Sequence, residues 1–209
     1  MVKLYVEGGG DADALKRACR RGFSDFLGKA GVARKPRIVA CGGRQNAYDL
    51  FRLAIENGEA ALLLVDSEAP VNAKHQAGPK DAWLPWQHLK ERPGDGWDKP
   101  SDAIDGHCHL MVQCMESWFL ADVMTLAKFF GQGFQAKQLP PISGGVEGVT
   151  KTSVYRGLEA ATRACRTKAP YGKGEHSFSI LSLIDPAMVL SVSPWADRFV
   201  NGLKAAMDN

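Results

Sequence analysis

The chain has 209 residues, of which 45% are hydrophobic and 23% charged, and its formal net charge is +3. These values are typical of a globular protein with a sizeable core and exclude a disordered chain. No apolar run approaches the roughly 20 residues that a membrane-spanning helix needs. With an acid at position 7 and no apolar leader, we expect a cytoplasmic protein with no membrane partner. Five scattered cysteines without CxxC spacing fit reduced thiols. The mild positive charge permits a nucleic-acid partner without requiring one.

Strand and helix signals alternate through the first 66 residues. Apolar runs predict strands at about residues 2–7, 37–41 and 60–66. Apolar residues at helical spacing predict helices at about residues 12–29 and 44–57. Because short glycine-containing loops separate these elements, the order is typical of a right-handed parallel α/β sheet.

Residues 67–106 interrupt this alternation with repeated prolines and glycines. One short helix is predicted at 81–91, inside an irregular segment of the kind that often forms a lid or binding loop. A fourth strand is predicted at 107–113, followed by an apolar-striped helix at 116–130.

The last third of the chain is predicted to be mainly helical. Helices are expected at 151–166 and 194–207, with a short apolar segment at 178–184 between them. We therefore predict an α/β core over residues 1–130 and a helical C-terminal elaboration over residues 131–209 that packs on this core.

Acidic residues close two of the predicted strands, since Glu7 ends the first and Asp66, with Glu68 beyond it, ends the third. The carboxyl ends of parallel strands meet at one edge, and residues two apart on an extended chain point the same way. Unpaired buried charge is costly, and Mg²⁺ prefers carboxylate oxygens. The pattern therefore predicts a magnesium site. The alternatives are that Asp66 caps a turn, that Glu68 is solvated, and that Glu7 accepts a hydrogen bond from Arg44 or Lys3.

Several basic and acidic side chains are further candidates. Arg44 follows two glycines at a predicted helix start, where backbone N–H groups and an arginine favour phosphate, although a solvent-facing arginine fits equally well. Lys151 and Lys173 are candidates for phosphate contacts or simple surface lysines. Glu116 opens a predicted helix, where it either stabilises the first turn or joins the acidic edge. The glycine clusters lack the spacing of a dinucleotide or P-loop motif.

Two further groups of residues point less clearly to a site. Histidines and cysteines occur together at His107, Cys108, His109 and Cys114. Neighbouring residues of a strand face opposite sides, so a shared zinc site is geometrically poor there. Three tryptophans fall in the proline-rich segment: Trp83, Trp86 and Trp97. They could stack on bases, but we favour a small core that holds the segment in place.

An apolar strand ending in Glu-Gly, followed about sixty residues later by a strand ending in Asp-x-acid, resembles the Toprim domain of topoisomerases, primases and OLD-family nucleases. The resemblance implies a Rossmannoid parallel sheet on which Glu7, Asp66 and Glu68 hold Mg²⁺ or Mn²⁺. In this sequence Glu68 stands where the family usually has a second aspartate.

More narrowly, nearly the whole chain resembles the DUF4276 family of Toprim-like bacterial proteins. The residues that carry this resemblance are 6–8, 43–44, 66–68, 115–122, 176–178, 184–186 and 193–194. It implies a partner of an ATPase in phage defence or DNA repair. Together with the Toprim-like acids, it leads us to expect a metal-dependent phosphodiesterase that acts on DNA or RNA. Arg44 and Lys151 would contact phosphate, and Glu116 would be a further metal ligand.

A second interpretation stays open, in which the chain is a non-catalytic or conditionally active subunit that docks on an ATPase. The absence of a strong basic stripe in the sequence favours it, because nuclease grooves usually carry cations that neutralise phosphate. Either interpretation leaves room for a homo-oligomer.

Overall fold

The computed structural model describes residues 1–174 and 176–208. Within these residues four parallel strands form one sheet in the order β2-β1-β3-β4. The strands are β1 (Lys3–Val6), β2 (Arg37–Ala40), β3 (Ala61–Asp66) and β4 (Cys108–Met111). Helices flank the sheet, so the predicted α/β fold with a parallel sheet is confirmed and is consistent with a Rossmann-like architecture.

The helices divide between the first half of the chain and the last. Those near the sheet strands are α1 (Asp13–Lys29), α2 (Arg44–Glu56) and α3 (Pro85–Glu91). Those that follow the sheet are α4 (Val123–Phe130), α5 (Lys151–Thr162), α6 (Ser177–Leu183), α7 (Pro186–Val192) and α8 (Pro194–Asp208). None of the helices in the described residues is long and apolar enough to cross a membrane.

Three predicted elements are shorter or broken. The helix expected at 116–130 is a 3-10 segment, Met115–Ala121, followed by α4, because the Asp122 side chain accepts the Thr125 N–H and starts a new helix. The helix expected at 81–91 begins at Pro85, which fits only a first turn. The predicted strand at 107–113 spans only β4, and His107 lies in the preceding 3-10 turn.

The order of the strands creates a topological switch point. The chain leaves β1 toward β2 on one side, then returns through α2 to β3 on the other side of β1. In open α/β sheets ligands bind in the crevice outside the carboxyl ends of the strands at such a point. Here that crevice lies beyond Val6 and Asp66.

Alternating side chains of the strands supply two cores, one on each face of the sheet. Leu4 and Leu64 belong to the core that includes α1, α5 and α6. Tyr5 and Leu63 belong to the core that includes α2 and the tryptophans of the proline-rich segment. Because β3 is buried along its whole length, its terminal Asp66 is carried into the interior.

The C-terminal helices pack tightly on this sheet. Helix α6 lies against α1, where a Cβ on Gly22 would come within 2.7 Å of the Phe178 carbonyl oxygen. Helix α8 lies against β4, and the buried Arg198 donates hydrogen bonds to the Cys108 carbonyl at 2.8 Å and to Nδ1 of His109 at 3.1 Å. The α1–α6 contact brings the last quarter of the chain beside the switch point.

Candidate functional site: an acidic cluster at the switch point

Glu7 and Asp66 meet because β1 and β3 pair in parallel and end side by side. Val6 stands opposite Leu64, and the Glu7 N–H continues the ladder to the Leu64 carbonyl at 3.0 Å. The Glu7 carboxylate then accepts the backbone N–H of Asp66 at 3.2 Å. The sheet itself therefore sets the separation of these two acids.

Asp66 is the most deeply placed acid of the cluster, with 5% of its surface exposed. Its Oδ1 accepts the Met115 N–H at 2.9 Å, and its Oδ2 lies 3.5 Å from the Lys151 amine. Burial, reinforced by the negative charges of Glu7 and Glu116, raises the pKa of Asp66 well above its usual range. The Lys151 charge opposes this rise only in part, and a bound cation would supply further positive charge.

Glu7 is held by a single arginine. Its Oε2 accepts a hydrogen bond from Arg44 Nη1 at 3.0 Å, whereas Lys3 pairs with Glu59 instead. Burial raises the pKa of Glu7, although the Arg44 charge acts in the opposite direction. The predicted alternative of a hydrogen bond from Arg44 is thus present, and it leaves Glu7 Oε1 directed to no protein partner among the described residues.

Glu68 reaches the cluster by an unexpected backbone path. The strand ends at Asp66, so the two residues do not align through strand alternation. Instead Glu68 adopts a left-handed conformation, with φ of 63°, that is uncommon outside glycine and costs on the order of 1–3 kcal/mol. Its N–H donates to the Gln113 carbonyl at 2.9 Å and fixes the turn. Backbone strain of this kind is found most often at functional sites.

Lys151 brings a positive charge from the C-terminal part of the chain to Asp66 and Glu68. It is the first residue of α5, and its N–H donates to Gln113 Oε1 at 3.1 Å. Its amine lies 2.5 Å from Glu68 Oε1 and 3.5 Å from Asp66 Oδ2. Burial alone would lower the pKa of Lys151, but the two acids outweigh it and raise that pKa.

Arg44 is fully engaged with acidic partners. Its Nε and Nη2 donate to both carboxylate oxygens of Asp95, at 2.7 and 2.6 Å, and its Nη1 donates to Glu7 and to the Asp66 carbonyl. Its guanidinium also lies 4.9 Å from the centre of the Trp97 ring. Arg44 therefore positions Glu7 and the proline-rich segment, and its predicted contact with phosphate stays a prediction.

Glu116 lies in the interior instead of in an exposed helix turn. It is 1% exposed within the 3-10 segment that follows β4. Tyr155 donates to its Oε2 at 2.9 Å, and Tyr171 and Ser177 each donate to its Oε1 at 3.1 Å. Burial and the Glu116 charge raise the pKa of both tyrosines, so both remain donors at neutral pH.

A cavity of about 240 Å³ opens above Glu7, Asp66 and Glu116. Glycines form one wall: Gly8 and Gly42 exchange backbone hydrogen bonds at 2.9 and 2.8 Å. Both have positive φ, and a Cβ on Gly42 would lie 2.8 Å from the Gly10 carbonyl oxygen. The opposite wall comes from the C-terminal part of the chain, whose contributions are Lys173, Gly174, Ser177 and Phe178.

Of the predicted site residues, the structure brings three acids together. Ligand oxygens of Glu7, Asp66 and Glu68 all lie within 4.8 Å of one another. Glu116 lines the same cavity but stands outside this group, and within the described residues the histidines and cysteines near β4 form no such group. The three tryptophans of the proline-rich segment are buried, which confirms the core interpretation: Trp83, Trp86 and Trp97.

Four residues that matter at this site were missed by the sequence analysis. Asp95 holds Arg44, and Tyr155, Tyr171 and Ser177 hold Glu116. Each lies at least 39 residues from its partner, and although Ser177 falls within residues 176–178 of the family resemblance, that resemblance gave it no role. The Pro-Gly-Asp-Gly turn around Asp95 marks a tight loop but gives no sign of which cation it meets.

The fold and the acids define this protein as an α/β protein with a candidate cation site at the switch point of a parallel sheet. A family model described as a domain of unknown function, DUF4276, matches residues 6–204, and the chain belongs to that family. Neither a curated protein nor a solved structure matches it.

Proposed function

We propose that this chain is a Mg²⁺- or Mn²⁺-dependent phosphodiesterase of Toprim type that cleaves DNA or RNA, in phage defence or DNA repair. The observation that carries the proposal is the group of carboxylate oxygens from Glu7, Asp66 and Glu68, all within 4.8 Å of one another. Mg²⁺ and Mn²⁺ take hard oxygen ligands, commonly one or two carboxylates together with substrate phosphate.

The electrostatics of the cluster favour a divalent cation. Burial raises the pKa of both Asp66 and Glu7, which means that their charged forms are poorly solvated. A divalent ion held by these acids would restore the missing positive charge. It would supply Lewis-acid polarisation of a bound phosphate.

The other side chains would act on the substrate or on the acids. Arg44 keeps Glu7 in place through its hydrogen bond of 3.0 Å. Lys151 stands at the cluster on the side of Glu68, and Lys173 lines the cavity, so both amines could meet phosphate oxygens. Glu116, with both oxygens occupied by hydroxyl donors, would shape the cavity from beneath.

The test is a cleavage assay with Mn²⁺ or Mg²⁺ on end-labelled single-stranded and double-stranded DNA and RNA, and on the small diester bis(p-nitrophenyl) phosphate. We expect cleavage that EDTA abolishes and that Glu7→Gln removes. The control is Glu56→Gln, which alters an exposed acid paired with Arg52 on the surface of α2. Cleavage that persists in EDTA, or that Glu7→Gln and Glu56→Gln affect alike, would contradict the proposal.

One observation favours a second candidate, a conditionally active subunit of an ATPase complex. The Lys151 amine, 2.5 Å from Glu68 and 3.5 Å from Asp66, already compensates part of the acidic charge without a metal. A partner that moves α5 would then be needed to release the acids. Under this alternative the isolated chain binds Mn²⁺ weakly and cleaves nothing, whereas the chain co-purified with an ATPase does both.

A further inference from the structure

A groove between α1 and α6 leads away from the acidic cavity. Its volume is about 390 Å³, and it is lined by Arg17, Ala18, Arg21, Phe178, Ser179, Ser182 and Leu183. Phe178 also lines the acidic cavity. The groove and the cavity therefore adjoin at this one aromatic ring.

Two arginines stand along the α1 side of the groove. Arg17 and Arg21 are one helical turn, about 6 Å, apart and share a face of the helix. Both are exposed. Arg21 has only a loose pair with Asp25 at 3.6 Å, and among the described residues Arg17 has no acidic partner. In contrast to Arg44, these guanidinium groups are not used to hold the fold together.

The α6 side of the groove offers neutral polar groups. Ser179 is exposed, and Ser182 is half-buried with its hydroxyl donating to the Ser179 carbonyl at 2.8 Å. The exposed Lys173 lines the neighbouring acidic cavity and adds a third cation there. Positive charge thus lies along α1, beside a groove that shares Phe178 with the cavity of the carboxylates.

We propose that this groove binds the sugar–phosphate backbone of a single nucleic-acid strand and leads it to the acidic cavity. The inference rests on the proposed function and names its substrate class. Arginines and hydroxyls contact phosphate and sugar and give affinity without sequence preference. The occupant is a single strand because Arg17 and Arg21 form one row on one helix, which can follow only one phosphate backbone.

The test is fluorescence anisotropy of a labelled 15-nucleotide DNA or RNA strand, with wild-type protein in EDTA so that no metal-dependent cleavage occurs. We expect Arg17→Gln/Arg21→Gln to weaken binding about tenfold. The slope of log K against log salt should fall by about 1.4, since each lost single-strand phosphate contact removes about 0.7. The matched control is Arg34→Gln/Lys35→Gln, which removes the same charge from exposed residues before β2, at the other end of the sheet.

Three results would overturn the inference. The first is that the wild type does not bind the strand, and the second is that the two double variants weaken binding equally. In the third case, duplex DNA and poly-glutamate would bind the wild type as tightly as the strand does. The proposed catalysis is tested separately. It is contradicted if the wild type cleaves neither nucleic acid nor bis(p-nitrophenyl) phosphate with Mn²⁺. Arginine-dependent strand binding in EDTA would then still support the groove.

Discussion

Asp66 and Glu116 are two buried carboxylates that line one cavity, but their surroundings differ. Glu116 is surrounded by neutral donors, with Tyr155, Tyr171 and Ser177 filling both of its oxygens. Asp66 accepts one backbone N–H and otherwise depends on Lys151, 3.5 Å away. The negative charge of Asp66 is therefore compensated mainly by one lysine, which it shares with Glu68.

The difference separates a structural acid from a candidate ligand. A buried carboxylate that several hydroxyls saturate joins the segments that supply those hydroxyls, here α5 and the chain before and within α6. A buried carboxylate that shares one flexible lysine with Glu68 has oxygens that a metal could take over. Substitutions of Asp66, Glu116 and Lys151 can show whether this division between the two acids is correct.

The largest expected effect is that of Asp66→Asn on cleavage. Asparagine keeps an acceptor for the Met115 N–H but removes the ligand charge, and a catalytic metal contributes several kcal/mol, so the rate should fall roughly 1,000-fold. Thermal unfolding of the metal-free protein should occur at the same or a higher temperature, because a buried and only partly compensated charge is gone. Activity within about tenfold of wild type would show that Asp66 is not a ligand.

Glu116→Ala should act on stability instead. It removes the carboxylate that accepts from the hydroxyls of Tyr155, Tyr171 and Ser177 and opens a void, which should lower the free energy of unfolding by about 3 kcal/mol in urea titrations. Glu116→Gln keeps the shape and should cost only about 1 kcal/mol. Both proteins should bind Mn²⁺ within about threefold of wild type in calorimetry, since a metal ligand would cost far more. A loss of Mn²⁺ affinity in Glu116→Gln as large as in Asp66→Asn would make Glu116 the further ligand that the sequence predicted.

Lys151→Met tests whether the lysine competes with the metal. Removing a positive charge 2.5 Å from Glu68 should tighten Mn²⁺ binding about tenfold in isothermal titration calorimetry. Cleavage should nevertheless slow, because a phosphate-binding amine is lost. The control is Lys35→Met, which replaces an exposed lysine far from Glu7, Asp66 and Glu68. Weaker Mn²⁺ binding by Lys151→Met would mean that the amine helps to assemble the cluster instead of competing for it.

The parts of the site that could be predicted are those that local patterns determine. Apolar runs define β1 and β3, and parallel pairing then brings Glu7 beside Asp66. Glu68 joins them through a left-handed turn that no local pattern announces, so its place was predicted for a reason that proved wrong. The strand alternation that the sequence suggested ends at Asp66.

Contacts between distant segments could not be predicted in this way. Arg44 and Asp95 are 51 residues apart, and Glu116 and Ser177 are 61 apart, with no periodicity that relates them. The break at Asp122 is different, because an aspartate followed by helix-forming residues is a usual start signal. A continuous apolar stripe through residues 116–130 concealed that signal.

Asp122 is a third buried carboxylate, and its substitution should have the smallest effect on the protein. The backbone N–H groups of Thr125 and Asp185 donate to it at 3.0 and 2.9 Å, and although burial acts to raise its pKa, these bonds hold that pKa below the usual value. An acid with a lowered folded pKa stabilises the protein above its unfolded pKa of about 3.9 and loses that contribution as the pH falls through the folded pKa. Asp122→Ala should therefore cost about 1 kcal/mol in urea unfolding at pH 7, and less as the pH falls below about 4. Asp122→Asn keeps an oxygen acceptor for only one of the two N–H groups. Its free energy of unfolding should therefore lie between those of Asp122→Ala and wild type. If Asp122→Ala lowers the free energy of unfolding equally at neutral and acidic pH, the hydrogen bonds stabilise the protein without the charge. Asp122 would then differ from Asp66 only in the geometry of its hydrogen bonds.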